Sequence, residues 1–192
     1  LIDVDGEAPR HVQQWQVHFV RIQRKPCAVA IDIDTRYAMV FSQVKKGDPE
    51  GFLNAFTTRL VNEMALATSE LGMLGDFETM LARFLEQHQR FQFVRRMERS
   101  TQAHLKNAIW DFEYRCDEAG RMPETHEECA MIDARINETL RHVKTRKDYF
   151  IPSTEMVCHW LRQFAGLTNA GEATVREKIS ASYMKQRFPS GN

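Results

Sequence analysis

Nowhere in the 192-residue chain is there a run of about 20 uninterrupted apolar residues, so no helical membrane span is expected. Neither sign of charge is in surplus, because 26 lysines and arginines balance 26 aspartates and glutamates. Global steering towards nucleic acid or an anionic membrane is therefore excluded, and any such binding must use a local patch. Cysteine is sparse. Cys27, Cys116, Cys129 and Cys158 are widely spaced and lack a paired rhythm, which argues against a disulfide framework and for reduced thiols in a cytoplasmic protein. There is no glycine-rich phosphate loop, internal repeat or low-complexity segment. The opening Leu1-Ile2-Asp3-Val4-Asp5 lacks the basic flank and apolar core of a secretory signal.

What is present suits a folded globular chain: 43% hydrophobic and 10% aromatic residues. From Trp15 to Val44 the apolar pattern has period two, which predicts strands over 15–24, 27–33 and 37–44. Turns are expected at Lys25-Pro26, since proline cannot donate to a central ladder, and at Asp34-Thr35-Arg36. Beyond Asp48 the period becomes helical. Asp48-Pro49-Glu50 opens one helix and Asp76 caps the next. A third runs from Ser100 to the terminator Gly120. Thr125 with Glu128 forms a capping box ahead of a fourth, with a stripe of Met131, Ile132, Ile136, Leu140 and Val143. A fifth starts at Pro152 and a sixth covers 172–187. The expected class is α+β: a small three-stranded antiparallel meander near the N-terminus packed, on one face, against five or six helices. Residues 1–14 read as an irregular lead-in, 15–166 as a single domain and 167–192 as a C-terminal helix packed on it.

Several residue groupings invite a chemical reading. Asp32-Ile33-Asp34-Thr35 after an apolar strand invites comparison with haloacid-dehalogenase phosphatases, but the threonine comes one position too early and the strand belongs to a meander. Asp32 is expected to face solvent, with Asp34 in the turn. Among Cys116, His126, Cys129, Cys158 and His159 only His126-x-x-Cys129 has the short spacing of a structural zinc pair, and it lies on the first turn of a helix. Buried helix-face cysteines account for Cys116 and Cys158 more simply. Cys27 with His18 on adjacent strands has no feature that activates a thiol. The interleaved aromatics and arginines of 89–96 resemble a nucleic-acid surface. The last two helices resemble a helix-turn-helix with too long a connection. Two candidate surfaces emerge: Arg21, Arg24, Lys25 and Arg36 at one edge of the sheet, and a basic patch of Arg90, Arg95, Arg96 and Arg99.

Trp15, Phe19, Arg21, Ile22, Arg24 and Lys25 spell W-x-x-x-F-x-R-I-x-R-K, followed by Thr35, Arg99-Ser100, Asn137-Glu138-Thr139, Tyr149 and Pro152. In this order the chain resembles, over 15–161, a family of uncharacterised bacterial domains of unknown function. The resemblance implies a fold and supplies no catalytic residue, metal or cofactor. Trp15 reads as a core anchor, and Asn137 and Arg99 as polar residues that satisfy backbone groups where helices meet the sheet. The expected function is a non-enzymatic cytoplasmic interaction or regulatory module of unknown partner, with no membrane attachment. The alternatives are a nucleic-acid-binding protein using the basic strand face or C-terminal helical hairpin, and an enzyme without a recognisable motif.

Overall fold

The structure is a computed structural model and describes residues 13–72, 76–92 and 99–187, with side chains to 182. Three strands, β1 (Trp15–Ile22), β2 (Lys25–Asp32) and β3 (Ala38–Phe41), form one antiparallel sheet in the order β1-β2-β3. Helices follow: α1 (Pro49–Glu70), α2 (Phe77–Gln87), α3 (Arg99–Ala119), α4 (His126–Asn137), α5 (Pro152–Trp160), a π-helical turn (Leu161–Ala165) and α6 (Asn169–Arg187). The α+β expectation holds. The chain divides into two compact units: residues 1–59 with 91–153, and residues 60–90 with 154–192.

In the first unit, the β1–β2 turn falls at Gln23-Arg24, not at Lys25-Pro26. Both turn residues have left-handed φ, 46° and 66°, as a tight two-residue hairpin requires. Pro26 sits inside the strand, opposite Arg21. Its carbonyl accepts the Val44 N–H at 3.0 Å, so its nitrogen also faces the side beyond the end of β3. The ladder to β1 loses nothing there. β3 is shorter than expected, and Gln43, at φ 55°, turns the chain away.

Helices cover both faces of the sheet, where the pattern suggested one. Ile22, Cys27, Val29, Ile31, Ala38 and Val40 share a buried cluster with Leu105, Ala108, Phe112, Cys116, Cys129 and Ile136 of α3 and α4. The opposite face meets the first turns of α1. Trp15 packs edge-on against Phe56 with centroids 4.8 Å apart, and Phe41 packs against Phe52 at 5.1 Å. Hence β2 reads as one continuous apolar run, because neither face of its interior sees water.

The outer edge of β3 carries the most specific contacts. Alternate residues of this strand, Ala38 and Val40, turn their backbone groups away from β2. Asn137 of α4 accepts the Ala38 N–H and donates to the Ala38 carbonyl, both at 2.7 Å. Asp133 accepts the Val40 N–H at 2.7 Å. Arg59 of α1 donates to the Val40 carbonyl and to Asp133, while its guanidinium lies 4.7 Å from the Phe41 ring centre. All three side chains are buried. This demand rotates α4 away from its expected stripe: Cys129, Asp133, Ile136 and Asn137 face inward, while Met131 is 71% exposed and Leu140 lies beyond the helix end. Thr125 caps α4 as expected, accepting from the Glu128 N–H at 3.2 Å. Asp48 caps α1 through the Gly51 N–H at 2.8 Å. Asp76 makes no side-chain cap bond to α2.

The second unit is held by aromatics. Phe84 of α2 packs against Trp160 and Phe164, whose own centroids are 4.6 Å apart. Arg83 donates to the Phe164 carbonyl at 2.7 Å where the π-helical turn ends at the left-handed Gly166.

Removing Asn137 strands two buried backbone groups, each worth about 1–3 kcal/mol. Urea unfolding of Asn137→Ala is expected to show a loss of about 2–4 kcal/mol. Asp133→Ala, which leaves the Arg59 guanidinium buried without its carboxylate, is expected to lose about 3–5 kcal/mol. A midpoint unchanged in either variant contradicts this account of the edge.

Candidate functional site

Asp32 ends β2 fully buried, not facing solvent as expected, while Asp34 is exposed in the turn. One carboxylate oxygen accepts the Thr35 N–H and hydroxyl, both at 2.7 Å, and the Asp34 N–H at 3.1 Å. The other accepts from Gln13 at 3.3 Å. An aspartate saturated in this way organises the β2–β3 turn. Both of its oxygens are engaged by protein donors.

The four cysteines are free and buried. Cys27 donates to the Lys25 carbonyl at 3.5 Å, whereas His18 is exposed, and no hydrogen bond joins the two among the described residues. Burial raises every one of these thiols, Cys116 and Cys158 to about 11. Such thiols are protonated at neutral pH and are poor nucleophiles. Among the described residues no group of three His, Cys, Asp or Glu side chains is placed to hold a metal ion. No helix of these residues is long and apolar enough to cross a membrane.

The sequence-derived basic surface separates. Arg21, Arg24 and Lys25 are exposed at the β1–β2 hairpin end. Arg36 lies at the other end of β2, buried, and donates to the Ser100 hydroxyl at 2.7 Å. The hairpin end gains Lys45 and Lys46 instead, because the Val44–Pro26 bond brings the chain leaving β3 alongside. Arg90 in the second unit and Arg99 in the first are both exposed, and Arg95 and Arg96 lie outside the described residues. In the α5–α6 hairpin, Arg176 pairs with Glu155 at 2.6 Å and Glu172 at 2.7 Å, and Arg162 pairs with Glu172 at 2.6 Å. On α6 these pairs occupy Arg176 while Lys178 stays exposed, and the side chains of Lys185 and Arg187 lie outside those described.

Sequence reading missed the outer face of α3. Trp110 and Tyr114 stack there with centroids 5.6 Å apart, 63% and 51% exposed. Their signal was available in the sequence: they stand i,i+4 on the side of α3 opposite Leu105, Ala108, Phe112 and Cys116. Glu118, one further turn along that line, helps line an open cleft of about 360 Å³ between α3 and α4. Its apolar surface is Ala119, Pro123, Met131 and Ile132, and its rim carries Arg115, Arg121 and Arg135. Arg121 is held by Glu128, whose carboxylate also takes the Glu124 N–H at 2.7 Å.

A family model described as a domain of unknown function, DUF6933, matches residues 2–155. The chain belongs to this family. The DUF6933 match spans all three strands and α1 to α4 and stops in the first turn of α5, so it includes the Asn137–Asp133–Arg59 edge and the α3 face. No curated protein and no solved structure matches the chain.

The thiols set a pH limit on stability. In the unfolded chain they ionise near 9, while folded Cys116 and Cys158 hold their protons to about 11. Their contribution is therefore complete below pH 9 and falls as pH rises towards 11. At pH 8 a thiol reagent is expected to label the native protein very slowly and all four cysteines in denaturant; rapid native labelling overturns the burial argument.

Proposed function

We propose that this DUF6933 domain is a non-catalytic protein-docking module that engages its partner through the outer face of α3 and the adjoining α3–α4 cleft. The stacked, exposed Trp110–Tyr114 pair carries the reading. Two large stacked rings with only two side-chain torsions each cost little entropy to bury, and tryptophan and tyrosine dominate interface energetics. Met131 at the cleft adds a flexible apolar contact. Support for a non-catalytic role comes from how the reactive groups are used. Asp32, Asp133, Asn137 and Arg59 serve the backbone, and the thiols are buried and protonated. We read the setting as cytoplasmic, which four unbridged cysteines favour.

A photo-crosslinking amino acid at Tyr114, introduced in the native host, is expected to give one discrete adduct. The same probe at exposed Leu66 serves as the control. Trp110→Ala should abolish the adduct while leaving the unfolding free energy within about 0.5 kcal/mol, as befits an exposed side chain. Adducts equal at Tyr114 and Leu66, or indifferent to Trp110→Ala, would remove the proposal.

A further inference from the structure

We propose that the sheet end formed by the β1–β2 turn and the chain leaving β3 binds single-stranded nucleic acid through its phosphate backbone. Five cations gather there from separate segments: Arg21 on β1, Arg24 and Lys25 at the turn, and Lys45 and Lys46 after β3. All are exposed, and none forms an ion pair among the described residues. Two features hold them in place. The Gln23 side chain donates to the Cys116 carbonyl and to Asp117, both at 3.2 Å, which pins the hairpin tip to the end of α3. The Val44–Pro26 bond fixes the lysine segment beside it. Three carboxylates stand at this end against the five cations: Asp117, which takes Gln23, Asp48, which takes the Gly51 N–H, and exposed Glu50. These neutral donors orient the acids without cancelling their charge, so the surplus is positive but modest.

An aromatic ring selects among anions. Phe19 lies two residues before Arg21, hence on the same strand face, and is 61% exposed, with one side against Phe52 at 5.8 Å. Its open side can stack an unpaired base, which neither a duplex nor an acidic peptide offers. Cations along a backbone with a ring beside them are the elements of single-strand recognition.

The test uses the full chain and fluorescence anisotropy with a short labelled single-stranded oligonucleotide, its duplex, and polyglutamate as competitor. Wild type is expected to prefer the single strand, with a log–log salt slope of about −3. Arg24→Asn/Lys25→Ala/Lys45→Ala/Lys46→Ala, in which asparagine tolerates the left-handed turn position, is expected to weaken binding at least about tenfold and flatten the slope. Lys45→Ala/Lys46→Ala alone lies outside every strand and should show an intermediate loss if the fourfold variant fails to fold. Phe19→Ala is expected to weaken single-strand binding about tenfold without changing the slope. No binding at low salt, lysine variants that bind like wild type, or polyglutamate competing as well as the oligonucleotide overturns the proposal. The last result would assign the patch to acidic peptides.

Discussion

The structure depends on how the free edge of a four-residue strand is closed. Ala38 and Val40 direct two N–H and two C=O groups away from the sheet, and three buried side chains meet all four. Left open, that edge would be both a desolvation penalty and a template for another strand. Asn137 presents to Ala38 the same donor–acceptor pair that a neighbouring backbone would. Asp133 and Arg59 do the equivalent for Val40 and neutralise each other. The sheet therefore stops at three strands. A buried pair of opposite charges is weak evidence of net stability in general, but here each charged group also satisfies a backbone group. The arrangement is directional where apolar packing is not, and it fixes the rotation of α4 about its axis.

That rotation explains which surfaces are left outside. Turning Asp133 and Asn137 inward carries Met131 outward. With both faces of β2 buried, α3 spends its inner stripe on the sheet and leaves Trp110 and Tyr114 on the opposite side. The exposed aromatics thus lie on a helix anchored along its length, and a partner would meet a surface already ordered before binding.

Much of this was legible from residues alone where local physics decides. The period-two run from Trp15, the Asp48 and Thr125 caps and the backbone-satisfying role of Asn137 all follow from side chains acting on nearby or generic backbone groups. Where distant elements decide, the sequence misleads. Pro26 looks like a turn until the end of β3 shows that its nitrogen needs no partner. Asp133 looks like one more acid in an acidic helix until β3 supplies an N–H for it. Asp32 and Arg36 read as surface charges because their partners, Thr35 and Ser100, are unremarkable in composition. Lys45 and Lys46 follow the last strand and look unrelated to Arg24, since their neighbourhood to it comes through the Val44–Pro26 hydrogen bond across the sheet end.

The zero net charge of the chain is then no guide to its local fields. Acids and bases cancel in the total, but their cancellation in space is uneven. Arg121, Arg162 and Arg176 are consumed by carboxylates on their own or adjacent elements, whereas the cations of the hairpin end have no such partner among the described residues. At physiological ionic strength a charge is felt over about 8 Å, so a phosphate approaching this end senses the five cations together with Asp48, Glu50 and Asp117, which stand at the same end, and little of the charge farther away. Pairing elsewhere in the molecule leaves at this end a local surplus of cations over carboxylates that the total charge hides.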